Sequence, residues 1–84
     1  MMNVVITPQA AAQIDVLPKP IRARMLKIVE RLQQWPDVSG VRALSGNLAG
    51  HHRVRTGDYR LQFHVTDDAV VVERIGHRDG FYKD

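Results

Sequence analysis

Eighty-four residues allow one domain, because a second would leave neither half enough apolar surface to offset the entropy of ordering the chain; residues 1–84 are therefore read as a single unit. Hydrophobic residues make up 44%, an ordinary globular share, and no apolar run is long enough for a membrane-spanning helix. The net charge is +3 and there is no cysteine, which removes thiolate chemistry and the usual structural zinc sites and leaves scattered histidines as ligands.

Neither a metal nor a small-molecule cofactor is expected on that composition. A small secreted domain usually adds disulfides and a basic leader followed by an apolar stretch. Lacking both, the chain is expected in the cytoplasm.

In chain order, Asn3-Val4-Val5-Ile6 is a short β-branched run, and Thr7-Pro8 supplies a helix cap and a residue suited to the first turn. Ala11, Ile14 and Leu17 follow at helical spacing until Pro18 and Pro20 stop that helix, predicting about three turns. Ile21, Met25, Ile28, Val29 and Leu32 then mark one stripe of a second, amphipathic helix, whose remaining surface is mostly charged. Trp35-Pro36-Asp37 terminates it.

From Val38 to Gly50 glycine, serine and asparagine surround isolated apolar residues, a composition that predicts an ordered loop. His52 to Thr56, Tyr59 to Val65 and Ala69 to Ile75 read as three strands, separated by Gly57-Asp58 and Asp67-Asp68. The order β, α, α, β, β, β predicts an α+β fold. That order predicts two antiparallel helices packed on one face of a small, mostly antiparallel four-stranded sheet.

Nine of the twelve basic residues are arginine, the planar, bidentate reader of phosphates. With a two-residue loop at Gly57-Asp58, Thr56 pairs with Tyr59, Arg55 with Arg60 and Arg53 with Gln62. Because strand side chains alternate between faces, Arg53, Arg55, Arg60, Gln62 and His64 share one face, while Val54, Tyr59, Leu61, Phe63 and Val65 take the other. Like charges directly opposite each other destabilise a strand pair, and a bound anion relieves that strain. The competing expectation is that the guanidiniums reach water, or pair with Glu73 and Asp79.

The run from Gly50 to Leu61, GHHRVRTGDYRL, followed by an apolar strand and then Ile75-Gly76-His77-Arg78 with Tyr82, resembles the RelE/ParE family of toxins of type II toxin–antitoxin systems. The resemblance extends to Thr7-Pro8, Leu17-Pro18 and Leu44-Ser45-Gly46. It implies a β-α-α-β-β-β fold and a cognate antitoxin partner. In the RelE-like branch it further implies cleavage of mRNA on the ribosome, which arrests translation. Carried over by position, the family's catalytic residues fall on Arg53, Arg60, Arg78 and Tyr82, with His51 and Arg53 standing where relatives carry lysines.

Such cleavage needs no metal, since the RNA's own 2′-hydroxyl attacks the adjacent phosphate. The protein must align the two, stabilise charge on the phosphate and move two protons. Arginine cannot act as the base, whereas histidine as a residue type titrates near neutrality. His51 is accordingly the expected base. Arg60 and Arg78 are expected to hold the phosphate, Tyr82 to stack on a base or assist the protons, and Arg53, Arg55, Gln62 and His64 to contact RNA.

His52, His64 and His77 keep structural readings as far as proton transfer is concerned. Two other functions fit the same family. One is a ParE-like DNA gyrase inhibitor without nuclease activity, and the other is an inactive toxin homologue that only binds its antitoxin.

Overall fold

The computed structural model describes residues 1–81, with Phe81 as backbone only. The chain runs β1 (Asn3–Ile6), α1 (Pro8–Asp15), α2 (Lys19–Arg31), β2 (Val41–Ala43), β3 (His51–Thr56), β4 (Tyr59–Val65), β5 (Ala69–His77) and α3 (Arg78–Phe81). The five strands form one sheet in the order β1-β5-β4-β3-β2. β1 lies parallel to β5 and every other pair is antiparallel. No helix among the described residues is long and apolar enough to cross a membrane.

The α+β class and both long helices agree with the sequence expectation, but the sheet has five strands where the sequence predicts four. The extra strand lies in the segment that reads as a loop, where Val41, Arg42 and Ala43 pair with Val54, Arg53 and His52. Three residues are too few to display an alternation, and here the neighbouring strand imposes the extended form. The first helix is also shorter than three turns, since it ends at Asp15, ahead of the proline.

Thr7 starts α1 as the sequence predicts: its Oγ1 accepts a hydrogen bond from the Ala10 amide at 3.1 Å. Gln13, within the same helix, extends Oε1 to accept from the Ile75 amide at 2.7 Å, which satisfies a β5 donor beyond the end of β1. The hairpin turns at Gly57, whose φ of 59° is the left-handed conformation that a Gly-first two-residue loop uses to match strand twist.

α1 and α2 cover one face of the sheet. Ala10, Ile14, Leu17, Met25, Ile28 and Leu32 pack there with Val54, Leu61, Phe63, Val70, Val72 and Ile75. The opposite face carries Val5 and Val71 at the β1–β5 end and polar side chains across β4 and β3.

Along β5 the inward residues are Val70, Val72 and Ile75, a spacing that regular alternation cannot produce. A bulge supplies the change of phase: Phe63 pairs with Val72 and Gln62 with Arg74, leaving Glu73 as the extra residue. Glu73 and Arg74 thus both serve the polar face. The strand is held at this point from just beyond β1, where the Thr7 amide donates to the Val72 carbonyl at 3.1 Å.

Candidate active site

The hairpin register places Arg55 opposite Arg60, Arg53 opposite Gln62 and His51 opposite His64. β2 extends the arginine row outward, because Arg42 stands opposite Arg53. The outcome is a cleft of ≈ 510 Å³ whose lining includes Arg42, Arg53, Arg55 and Arg60, with Gly40 and Ser45 at its rim. That volume lies in the range of small-ligand sites, about 300–1,000 Å³.

Arg60 is the most buried of these arginines, at 8% exposure. Its Nη1 is buried and has no hydrogen-bond partner among the described residues, a cost of about 1–3 kcal/mol for a buried donor. Glu73 and Asp79 do not relieve it, since they engage His51, His64 and Gln62 in the first case and His77 and Arg78 in the second. A phosphate oxygen, with its lone pairs and negative charge, is the kind of group this donor lacks.

Beside the arginines lies a second arrangement, joined to them through one amide side chain. Arg53 Nη2 donates to Gln62 Oε1 at 3.2 Å, and Gln62 Nε2 donates to Glu73 Oε1 at 3.2 Å. Glu73 Oε1 also meets His51 Nδ1 at 2.5 Å, and its Oε2 meets His64 Nδ1 at 2.9 Å. The two imidazole centroids are 5.7 Å apart. Burial by itself raises the Glu73 carboxyl pKa, but hydrogen bonds from His51, His64 and Gln62, with the charge of His51, outweigh it and hold the group below its ordinary value.

An ionised Glu73 accepts hydrogen bonds and donates none. Each imidazole therefore carries its proton on Nδ1 when neutral, and its Nε2 lone pair is free. Two oriented imidazoles next to a cluster of guanidiniums can move two protons while charge on a phosphate is stabilised.

The remaining expected residues lie apart from this pair. His52 is on the core side, stacked on Phe63 with centroids 5.2 Å apart and edge-on to Trp35 at 4.9 Å. His77 Nδ1 accepts from the Asp79 amide at 3.2 Å and so caps α3, in keeping with its structural reading. Arg78 begins α3 outside the lining of the cleft, its Nε 3.7 Å from Asp79 Oδ1 and its side chain 55% exposed. Tyr82 lies outside the described residues.

Sequence reasoning misses Arg42 and the role of Glu73. Arg42 sits in the segment that reads as loop. Glu73 reads in the sequence only as a partner for arginines, although the Glu73-Arg74 pair between Val72 and Ile75 interrupts the alternation and marks the bulge.

A five-stranded sheet covered on one face by two helices and carrying a row of arginines on the other defines a small basic α+β domain. The sequence model for the ParE toxin of the type II toxin–antitoxin system, parDE, matches residues 4–80. The chain covers 92% of its length against 98% of a chain in the toxin–antitoxin complex RelBE2 from Mycobacterium tuberculosis, with 30% identity and a TM-score of 0.79. It is 26% identical to Toxin RelE3 of Methanocaldococcus jannaschii over 84 residues, 96% of each chain.

The isolated RelE toxin of E. coli shares 18% identity at a TM-score of 0.78, covering 92% of this chain and 84% of that one, which speaks to the fold alone. The chain belongs to the RelE/ParE toxin family of type II toxin–antitoxin systems, as a RelE-like member.

Proposed function

We propose that this toxin is a metal-independent endoribonuclease that cleaves mRNA on the ribosome and thereby arrests translation. The observation that carries the reading is the buried, unpartnered guanidinium nitrogen of Arg60 in an arginine-lined cleft, beside two imidazoles fixed on one carboxylate. In the proposed reaction the scissile phosphate enters the cleft and Arg60 takes its developing charge, aided by Arg53. His51 Nε2 accepts the proton of the 2′-hydroxyl as that oxygen attacks phosphorus.

The bond to the 5′-oxygen breaks, and that oxygen collects the Nε2 proton of His64, which enters the reaction as the imidazolium with its Nδ1 proton held on Glu73, leaving a 2′,3′-cyclic phosphate and a 5′-hydroxyl. His64 thereby moves from a structural reading to a proton carrier, because Glu73 holds it in the same way as His51. Arg42 and Arg55 guide the adjoining strand. Arg78, at the start of α3, is assigned to RNA beyond the scissile phosphate, and Tyr82 keeps the role that the family resemblance implies, stacking on a base or assisting the protons.

The M. tuberculosis relative is seen as a complex with its antitoxin, and a cognate antitoxin is proposed as the partner that neutralises this chain. The test is induction of the chain in a bacterial host, beside an Arg60→Ala variant expressed at the same level, with mapping of mRNA 5′ ends. New ends inside translated frames, present with the unmodified chain and absent with the variant, are expected. Arrest with intact messenger, joined by loss of DNA supercoiling, would establish the gyrase inhibitor instead. Absence of arrest would overturn the nuclease reading in favour of an inactive toxin homologue.

A further inference from the structure

Two histidines on facing strands and a glutamate from a bulge are brought together on the polar face. One ligand atom from each of His51, His64 and Glu73 lies within 4.8 Å of the other two. From this juxtaposition we infer that the three residues form a binding site for a divalent transition-metal ion such as Zn²⁺, and that the ion switches the toxin off.

Metal–ligand bonds to imidazole nitrogen and carboxylate oxygen are about 2.0–2.2 Å, so two atoms on one ion are separated by at most about 4.4 Å. Gathering the three atoms therefore takes only a small movement. His51 and His64 are about one-third exposed and Glu73 one-fifth, so side-chain rotation can supply it while water completes the coordination. Both histidines already turn Nδ1 toward the carboxylate; the ion takes the place of the protons held there. Gln62 donates to Oε1 of the carboxylate, the oxygen that His51 also meets, and so helps to orient the ligand as outer partners do in metal sites.

Two nitrogens and one carboxylate select a cation that binds imidazole. Mg²⁺ and Ca²⁺, which prefer oxygen, are disfavoured by the donor set. The composition suggests no metal because the histidines are scattered in sequence; hairpin register and bulge assemble two of them.

The inhibitory consequence rests on the nuclease reading, whereas binding does not. An ion on Nδ1 leaves the imidazole proton on Nε2, and His51 then has no lone pair with which to accept the proton of the 2′-hydroxyl. The chain would be inhibited by the metal rather than require it.

The test is a titration of the purified, untagged chain with Zn²⁺ against a chromogenic chelator, without RNA, accompanied by imidazole NMR of the unaltered protein. One ion per chain is expected, with His51 and His64 resonances shifting together and His77 unmoved. Glu73→Ala and His64→Ala should each weaken binding about tenfold or more, His77→Ala should leave it unchanged, and Mg²⁺ should not compete. Unmoved His51 and His64 resonances, or affinity indifferent to Glu73→Ala, would overturn the site. A chain that binds Zn²⁺ through these residues yet cleaves RNA undiminished would overturn the switch, and a chain that never cleaves RNA would still give the same titration.

Discussion

His51 and His64 stand opposite one another on β3 and β4, and each directs Nδ1 to a different oxygen of one carboxylate, that of Glu73. A single side chain thus fixes the orientation of both rings. Glu73→Gln replaces one acceptor oxygen by a donor, so that one imidazole must turn or change tautomer. RNA cleavage by this variant should fall about 10²-fold or more, the lower part of the range for general acid–base catalysis. The pH profile of the rate should also change shape, which a merely loosened fold would not produce; an unchanged profile and rate would refute the positioning role.

Arg60 has the opposite relation to stability. It is nearly buried, stands opposite Arg55 and leaves Nη1 without a partner among the described residues. Arg60→Met keeps much of the volume and removes a buried cation, and should raise the unfolding free energy by about 1–3 kcal/mol while abolishing cleavage. Sulfate should raise the melting temperature of the unmodified chain more than that of the variant. Thermal unfolding with and without sulfate decides it, and a destabilised Arg60→Met would show that the cation is compensated within the fold.

Arg42 reaches the cleft from β2, apart from the hydrogen bonds that join the histidines to Glu73. Its predicted role is contact with a phosphate flanking the scissile one. Arg42→Ala should weaken RNA binding and lower the slope of log affinity against log salt by about 0.7, the value for one phosphate on a single strand. Binding measured at several salt concentrations checks this, and an unchanged slope would remove Arg42 from the interface.

The lowered pKa of Glu73 also bears on stability. A carboxyl that is more acidic folded than unfolded adds stability in full above its unfolded pKa, and loses it as pH falls through the lower folded value. Denaturant unfolding in the presence of a chelator should show stability falling on acidification across that window. Glu73→Gln should flatten this dependence, and an unaltered slope would contradict the arrangement.

Much of the fold is legible in the sequence. Thr7-Pro8, the stripe from Ile21 to Leu32 and Gly57-Asp58 are local signals, and the hairpin register follows from loop length alone. Arg53, Arg55, Arg60 and Gln62 fall on one face by alternation, because period two is fixed by the backbone. What escapes depends on neighbours distant in sequence. Arg42 joins the cleft because β3 recruits β2, and Glu73 meets the histidines because β5 pairs with β4, with the bulge after Val72 turning Arg74 to the same face and Ile75 inward. Resemblance groups Arg78 with the arginines of the hairpin, but the chain turns into α3 at that residue and carries it to a more exposed position.

RNA cleavage by the strand's own 2′-hydroxyl, with arginines for the phosphate and imidazoles for the protons, leaves a chemical signature at each cut. The most direct measurement is the chemistry of the ends made when the toxin acts on translated messenger. The prediction is a 2′,3′-cyclic phosphate on one side of each cut and a 5′-hydroxyl on the other, both absent when His51 and Arg60 are replaced by alanine. Ends bearing a 5′-phosphate, as water attack would leave, or cuts that persist in that double variant, would contradict it.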